Sequence, residues 1–171
     1  MMLGTAAKCK FMGMNIEISP EYAKEGEWEG RTGKIRQDQL YIAAKQNFKQ
    51  HVLRNEVQVI ITDGPILLGH VYAKNVTNPL PSLPGLLDDL HNQYDNLNLF
   101  VRRSKMYMQK GRSQSEAEAR EKDDEVHKML LERNIPFEYI EYGEENIPLV
   151  IAKMDQRGWI RKWHEEKSYP A

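Results

Sequence analysis

A chain of 171 residues with 24 Lys and Arg against 25 Asp and Glu carries a net charge of −1. It therefore has no global field for nucleic acid or an anionic membrane, and any anion site must be local. Its composition, 40% hydrophobic and 29% charged with one cysteine, fits a single globular domain over residues 1–171 and excludes disordered, collagen-like and disulfide-framed chains.

Residues 1–10 read as helix from their Ala and Lys content, with Cys9 as a buried, inert thiol. They lack the apolar core of a secretory signal, and no run reaches the ~20 apolar residues that cross a bilayer. A cytoplasmic setting follows, in which the Asn75-Val76-Thr77 glycosylation match carries no meaning. Residues 14–18 are the weakest of four strand candidates. Residues 37–52 place Leu40, Ala44, Phe48 and Val52 on one helical stripe, the expected core-facing side.

Val57-Gln58-Val59-Ile60-Ile61 is dense in β-branched residues and stops at Thr62-Asp63-Gly64-Pro65, a buried strand ending in a tight turn. A helix over 66–72 follows. The Pro-rich stretch 79–84 leads into a short helix over 86–94, where Asp88-Asp89-Leu90-His91 reads as surface. Asn98-Leu99-Phe100-Val101 is a third strand and Phe137-Glu138-Tyr139-Ile140 a fourth. Between them, residues 115–133 form a helix with Ala119, Val126, Met129 and Leu130 on one stripe. Overlapping capping boxes, Ser113-Gln114-Ser115-Glu116 and Ser115-Glu116-Ala117-Glu118, open it. Trp159, Ile160 and Trp163 have the spacing of a packing turn, and 164–171 reads as a flexible tail. Strands alternating with helices predict an α/β, doubly wound parallel sheet covered on both faces.

In such sheets ligands bind beyond the carboxyl ends of the strands. Asp63 lies there, either as a Mg²⁺-organising carboxylate or as a cap for the following helix. The run 101–112 carries Arg102, Arg103, Lys105, Lys110 and Arg112 and no acid. It is either a solvated loop or a polyphosphate clamp, because the guanidinium fork matches phosphate oxygens two at a time. The five histidines have no metal-ligand spacing. Neither a Gly-x-x-x-x-Gly-Lys-Ser/Thr loop nor a Rossmann glycine fingerprint occurs; Gly33-Lys34 is followed by Ile35 and preceded, five positions back, by Trp28.

Several phrases taken together nevertheless point to a family. They are Glu21-Tyr22-Ala23-Lys24, Gln39-Leu40-Tyr41-Ile42-Ala43-Ala44-Lys45-Gln46-Asn47, Ile61-Thr62-Asp63-Gly64-Pro65-Ile66-Leu67-Leu68-Gly69, and Tyr107-x-x-x-Gly111-Arg112 running into Glu116-Ala117-Glu118-Ala119. Over about residues 3–142 the chain resembles the bacteriophage AAA-type P-loop ATPases, relatives of the nicotinamide-riboside-kinase-like and nucleoside/nucleotide kinase proteins. The resemblance implies a three-layer P-loop sheet whose first central strand and phosphate loop are missing, residues 3–13 being the remainder of the helix they open. A late start codon or a true loss of the site would account for that.

The resemblance also implies ATP and Mg²⁺ as cofactors and a nucleoside-type acceptor. Asp63 takes the place of the metal-associated acid and Glu21 that of the acceptor-side general base. Arg103 and Arg112, with Lys105 less well matched, take the places of phosphate-facing lid residues. Gly64 stands where the family often has Ser. With the loop lysine and hydroxyl missing, an impaired or inactive kinase is expected, located in the host cytosol if phage-encoded. The alternative is a non-catalytic relative that binds nucleotide or a host protein; a protein partner or a homo-oligomer is among the expected partners. A further expectation is that strands 57–61 and 97–101 close the vacancy by pairing directly.

Overall fold

The computed structural model describes residues 1–30, 32–102 and 116–160. Helix α1 (Met2–Phe11) leads into β1 (Ile16–Ser19); α2 (Tyr22–Trp28), α3 (Thr32–Gln37) and α4 (Gln39–His51) then connect to β2 (Val59–Thr62). A 3₁₀ turn (Ile66–Leu68), α5 (Gly69–Tyr72) and α6 (Leu83–His91) precede β3 (Leu99–Arg102). Helix α7 (Glu116–Glu132), β4 (Glu138–Glu141) and α8 (Ile147–Gln156) complete the order. All four strands and the long helices over 39–51 and 116–132 lie where the residue pattern places them. Asn134, at φ 53, ends α7: Ile135 N–H reaches the Leu130 carbonyl at 2.9 Å and Asn134 N–H the Leu131 carbonyl at 3.1 Å, which satisfies the last helical carbonyls.

The strands form two parallel pairs, β1 with β2 in the register Ile16↔Val59 to Ser19↔Thr62, and β3 with β4 in the register Leu99↔Glu138 to Arg102↔Glu141. Among the described residues β2 does not pair with β3, so the expected direct closure of 57–61 onto 97–101 does not occur. The pairs are nonetheless bound to common helices, and side-chain alternation shows how. Ile16, Val59, Ile61, Leu99 and Ile140 join one cluster with Cys9 and Met14 from the α1 side and Val150 and Met154 of α8. The intervening positions Phe100 and Phe137 join a second cluster with Val71, Met129 and Leu130 of α5 and α7. Helices therefore cover both strand faces.

Cys9 is fully buried on α1, and its burial pushes the thiol pKa up. Trp159 and Ile160 pack on the first cluster, as the packing-turn spacing indicates. Helix α7 buries Ala119, Met129 and Leu130 as read from its stripe. Helix α4 reverses the expectation. Its buried residues are Gln39, Ala43, Gln46 and Gln50, while Leu40 (42% exposed), Phe48 (63%) and Val52 (50%) face outward. The reason is at the strand ends, where Gln46 is required as a buried hydrogen-bonding group.

Candidate functional site

The register of β1 and β2 sets Ser19 level with Thr62, so the segments that follow them leave the sheet side by side. Glu21 N–H donates to Asp63 Oδ1 at 3.0 Å. The two acids singled out from sequence are thus adjacent, one beyond the carboxyl end of each strand. Gly64 permits this approach: a Cβ there would sit 2.7 Å from Glu21 Cα and 2.9 Å from its Cβ. Thr62 Oγ1 accepts from Gly64 N–H at 3.1 Å and closes the turn. Asp63 does not cap the helix after it. The N-cap of the 3₁₀ turn is Pro65, and no side chain bonds into it.

Beneath the acids lies a buried polar network. Gln46 Nε2 donates to Ser19 Oγ at 3.1 Å and to Thr62 Oγ1 at 3.3 Å, and its Oε1 accepts from Tyr22 N–H at 2.9 Å. One side chain of α4 thereby ties both strand ends and the start of α2 together. Buried amides and hydroxyls must be paired in this way, which is what turns the glutamine face of α4 inward. Tyr22 and Tyr41 hydroxyls meet at 3.0 Å, and Lys49 bonds Glu25 and the Pro20 carbonyl, fixing α2 over the strand ends. The 4-3-4 spacing of Gln39, Ala43, Gln46 and Gln50 carried this signal in the sequence, hidden by the more apolar stripe beside it.

At the end of the other pair, Arg102 bonds Glu141 at 3.1 Å and lies 4.4 Å over the Tyr139 ring. This member of the basic run is therefore partly neutralised and half-exposed. Arg103, Lys105 and Arg112 lie outside the described residues.

A second polar cluster joins α5, α6 and α7 away from these strand ends. His70 Nε2 and Asp88 Oδ1 are 2.9 Å apart, and Arg133 bonds the same carboxylate. Burial, assisted by the Arg133 charge, lowers the His70 pKa against the pull of Asp88. Burial opposes the Asp88 charge, yet the hydrogen bonds from Arg133 and His70 hold its pKa below the ordinary value. Asp88, read from sequence as helix surface, instead holds three helices together.

Among the described residues no three His, Cys, Asp or Glu converge. Thr62 Oγ1, the nearby hydroxyl, is engaged with Gly64 and Gln46. Among these residues no helix is long and apolar enough to cross a membrane. Set against protein-family models, curated proteins and solved structures, the chain matches none.

Proposed function

We propose that this chain is a P-loop-kinase-like domain whose nucleotide site lies at the carboxyl ends of its strands, with Asp63 and Glu21 on the acceptor side. The observation that carries the reading is the 3.0 Å bond from Glu21 N–H to Asp63, at neighbouring strand ends where open parallel sheets take their ligands. The two unjoined parallel pairs, held by the same helices, are compatible with an arrangement in which a central strand belongs between β2 and β3. The reaction proposed for the family is phosphoryl transfer from ATP to a nucleoside-type acceptor, with Glu21 as the proposed base for the acceptor proton.

In these 171 residues the phosphates have no glycine loop, lysine or metal-holding hydroxyl, and phosphoryl transfer depends on positioning and charge neutralisation. We therefore assign weak nucleotide binding and negligible turnover. That favours the non-catalytic alternative for the chain as given. The test is NMR titration with ATP and with ADP. Expected are salt-sensitive shifts at the Glu21, Asp63 and Gly64 amides with a Kd of roughly millimolar order, weakened by Arg112→Ala. No shift at ~10 mM nucleotide, or shifts remote from these amides, would refute the assignment.

A further inference from the structure

The polar cluster on α6 lies away from the strand ends and has a chemistry of its own. Helix α6 is nine residues long and is entered from residues 77–82, all of them exposed. Two buried leucines anchor it. Leu83 and Leu87 pack with Ala43 of α4 and with Ile66, and a Cβ on Gly69 of α5 would sit 2.8 Å from Leu87 Cδ1. The other hold is Asp88, which takes His70 Nε2 from α5 at 2.9 Å and the Arg133 guanidinium from the end of α7.

We propose that His70 is the trigger of an acid-released latch: a proton on its imidazole frees α6 from α5 and α7 while both strand pairs stay in place. Charge counting within the cluster carries this. With His70 neutral, Asp88 and Arg133 balance, and Arg133 Nε and Nη2 already occupy both carboxylate oxygens. A proton on His70 therefore adds a positive charge whose counter-ion is shared, at a residue only 7% exposed. Asp88 attracts that charge, but burial and then Arg133 outweigh it and keep the His70 pKa low.

The neighbouring elements add repulsion rather than relief. Lys74, just after α5, opposes the charge, and His91 of α6 is a second imidazole that burial holds towards its neutral form. Asp89, the next acid on α6, is exposed. Lys122 of α7 faces Tyr72 of α5 and is paired with Glu125. Helix α4 turns an uncharged face inward, and the 66–68 turn and α7 meet α5 through Leu67, Val71, Met129 and Leu130.

Opening lets water reach the imidazolium, and α6 can part from the fold alone. The Asp88–Arg133 pair is about one-third exposed on each side, so separating it costs little. The strand pairs, by contrast, are held by clusters on both faces. The 66–68 turn that Leu83 and Leu87 cover continues directly from Asp63-Gly64-Pro65, so release of α6 also loosens the segment behind Asp63.

Amide hydrogen exchange on the full chain, followed by NMR across low urea concentrations, tests this. The amides from Leu87 to His91 should exchange through an opening with little urea dependence. That opening should become about fivefold or more frequent from about pH 7.5 to about pH 5.5. His70→Gln should remove most of the rise. Arg133→Gln separates charge from simple anchoring: α6 should open more at neutral pH, yet acid should open it no further, because Asp88 is then free to hold the imidazolium. The latch is overturned if wild-type α6 amides share the urea slope of the β2 amides, if their opening does not rise with acid, or if Arg133→Gln leaves the rise intact.

Discussion

Gln46→Leu and Phe48→Ala, two residues apart on α4, should have effects opposite to those their hydrophobicity suggests. Gln46 is 3% exposed and makes three hydrogen bonds, to Ser19, Thr62 and Tyr22 N–H. Leucine fills a similar volume but supplies neither donor nor acceptor. Each lost bond contributes about 0.5–1.5 kcal/mol net, and a buried group that finds no substitute costs about 1–3 kcal/mol. The Ser19 and Thr62 hydroxyls can rotate, so the expected loss is about 2–4 kcal/mol, or roughly 5–15 °C in melting temperature for a domain of this size. Phe48 is 63% exposed, and its truncation should cost no more than about 0.5–1 kcal/mol, against about 3–5 kcal/mol for a core phenylalanine. Urea unfolding compares the two directly. If Phe48→Ala proved the more destabilising variant, the orientation of α4 and the polar network built on it would both be wrong.

Other outcomes follow from particular contacts. Gly64→Ala places a Cβ 2.7 Å from Glu21 Cα, a backbone atom that cannot swing aside; a loss of about 1–3 kcal/mol and a displaced Glu21 amide resonance are expected. Gly85→Ala, inside α6 with open space around the new Cβ, should instead stabilise by about 0.5–1 kcal/mol in the same unfolding assay. The His70 pKa is lowered by folding, so the unfolded chain binds the proton more tightly, and stability should decline as pH falls below about 6.5. Half-buried His91, also lowered by burial, acts in the same direction, whereas the depressed Asp88 pKa withdraws its contribution only in the more acid range of carboxylates. His70→Gln should therefore flatten the urea midpoint between pH 7 and 5.5; an unchanged slope would remove His70 as its source.

The parts of the fold legible in the sequence are those where local pattern and tertiary demand agree. The β-branched run before Thr62-Asp63-Gly64-Pro65 had to be a strand with a sharp end, and α7 announced itself by its stripe. The nearness of Glu21 to Asp63 was not legible in the sequence, because 42 residues separate them and only the β1–β2 register brings them together. Hydrophobicity failed at α4 for a physical reason. Apolar periodicity reports which face leaves water most cheaply, but not which face carries hydrogen bonds that a buried strand end cannot do without. Asp88 failed in the same way: a carboxylate on a short helix reads as surface until two other helices bring His70 and Arg133 to it.

The two failures share a cause that bears on function. Where helices pack on strands through apolar side chains alone, the sequence stripe predicts the buried face. Where they pack through polar groups, something about the strands requires satisfying. Here that something is the carboxyl end of β1 and β2, where Ser19, Thr62 and the Tyr22 N–H converge on one amide. An ordinary core position would take leucine at Gln46 and gain from it. Keeping a buried glutamine there, with Gly64 admitting the Glu21 backbone, holds the Glu21 N–H against the Asp63 carboxylate at the strand ends. The inward polar face of α4 thus ties both strand ends to the start of α2, and the apolar residues it displaces lie on the outside of the helix.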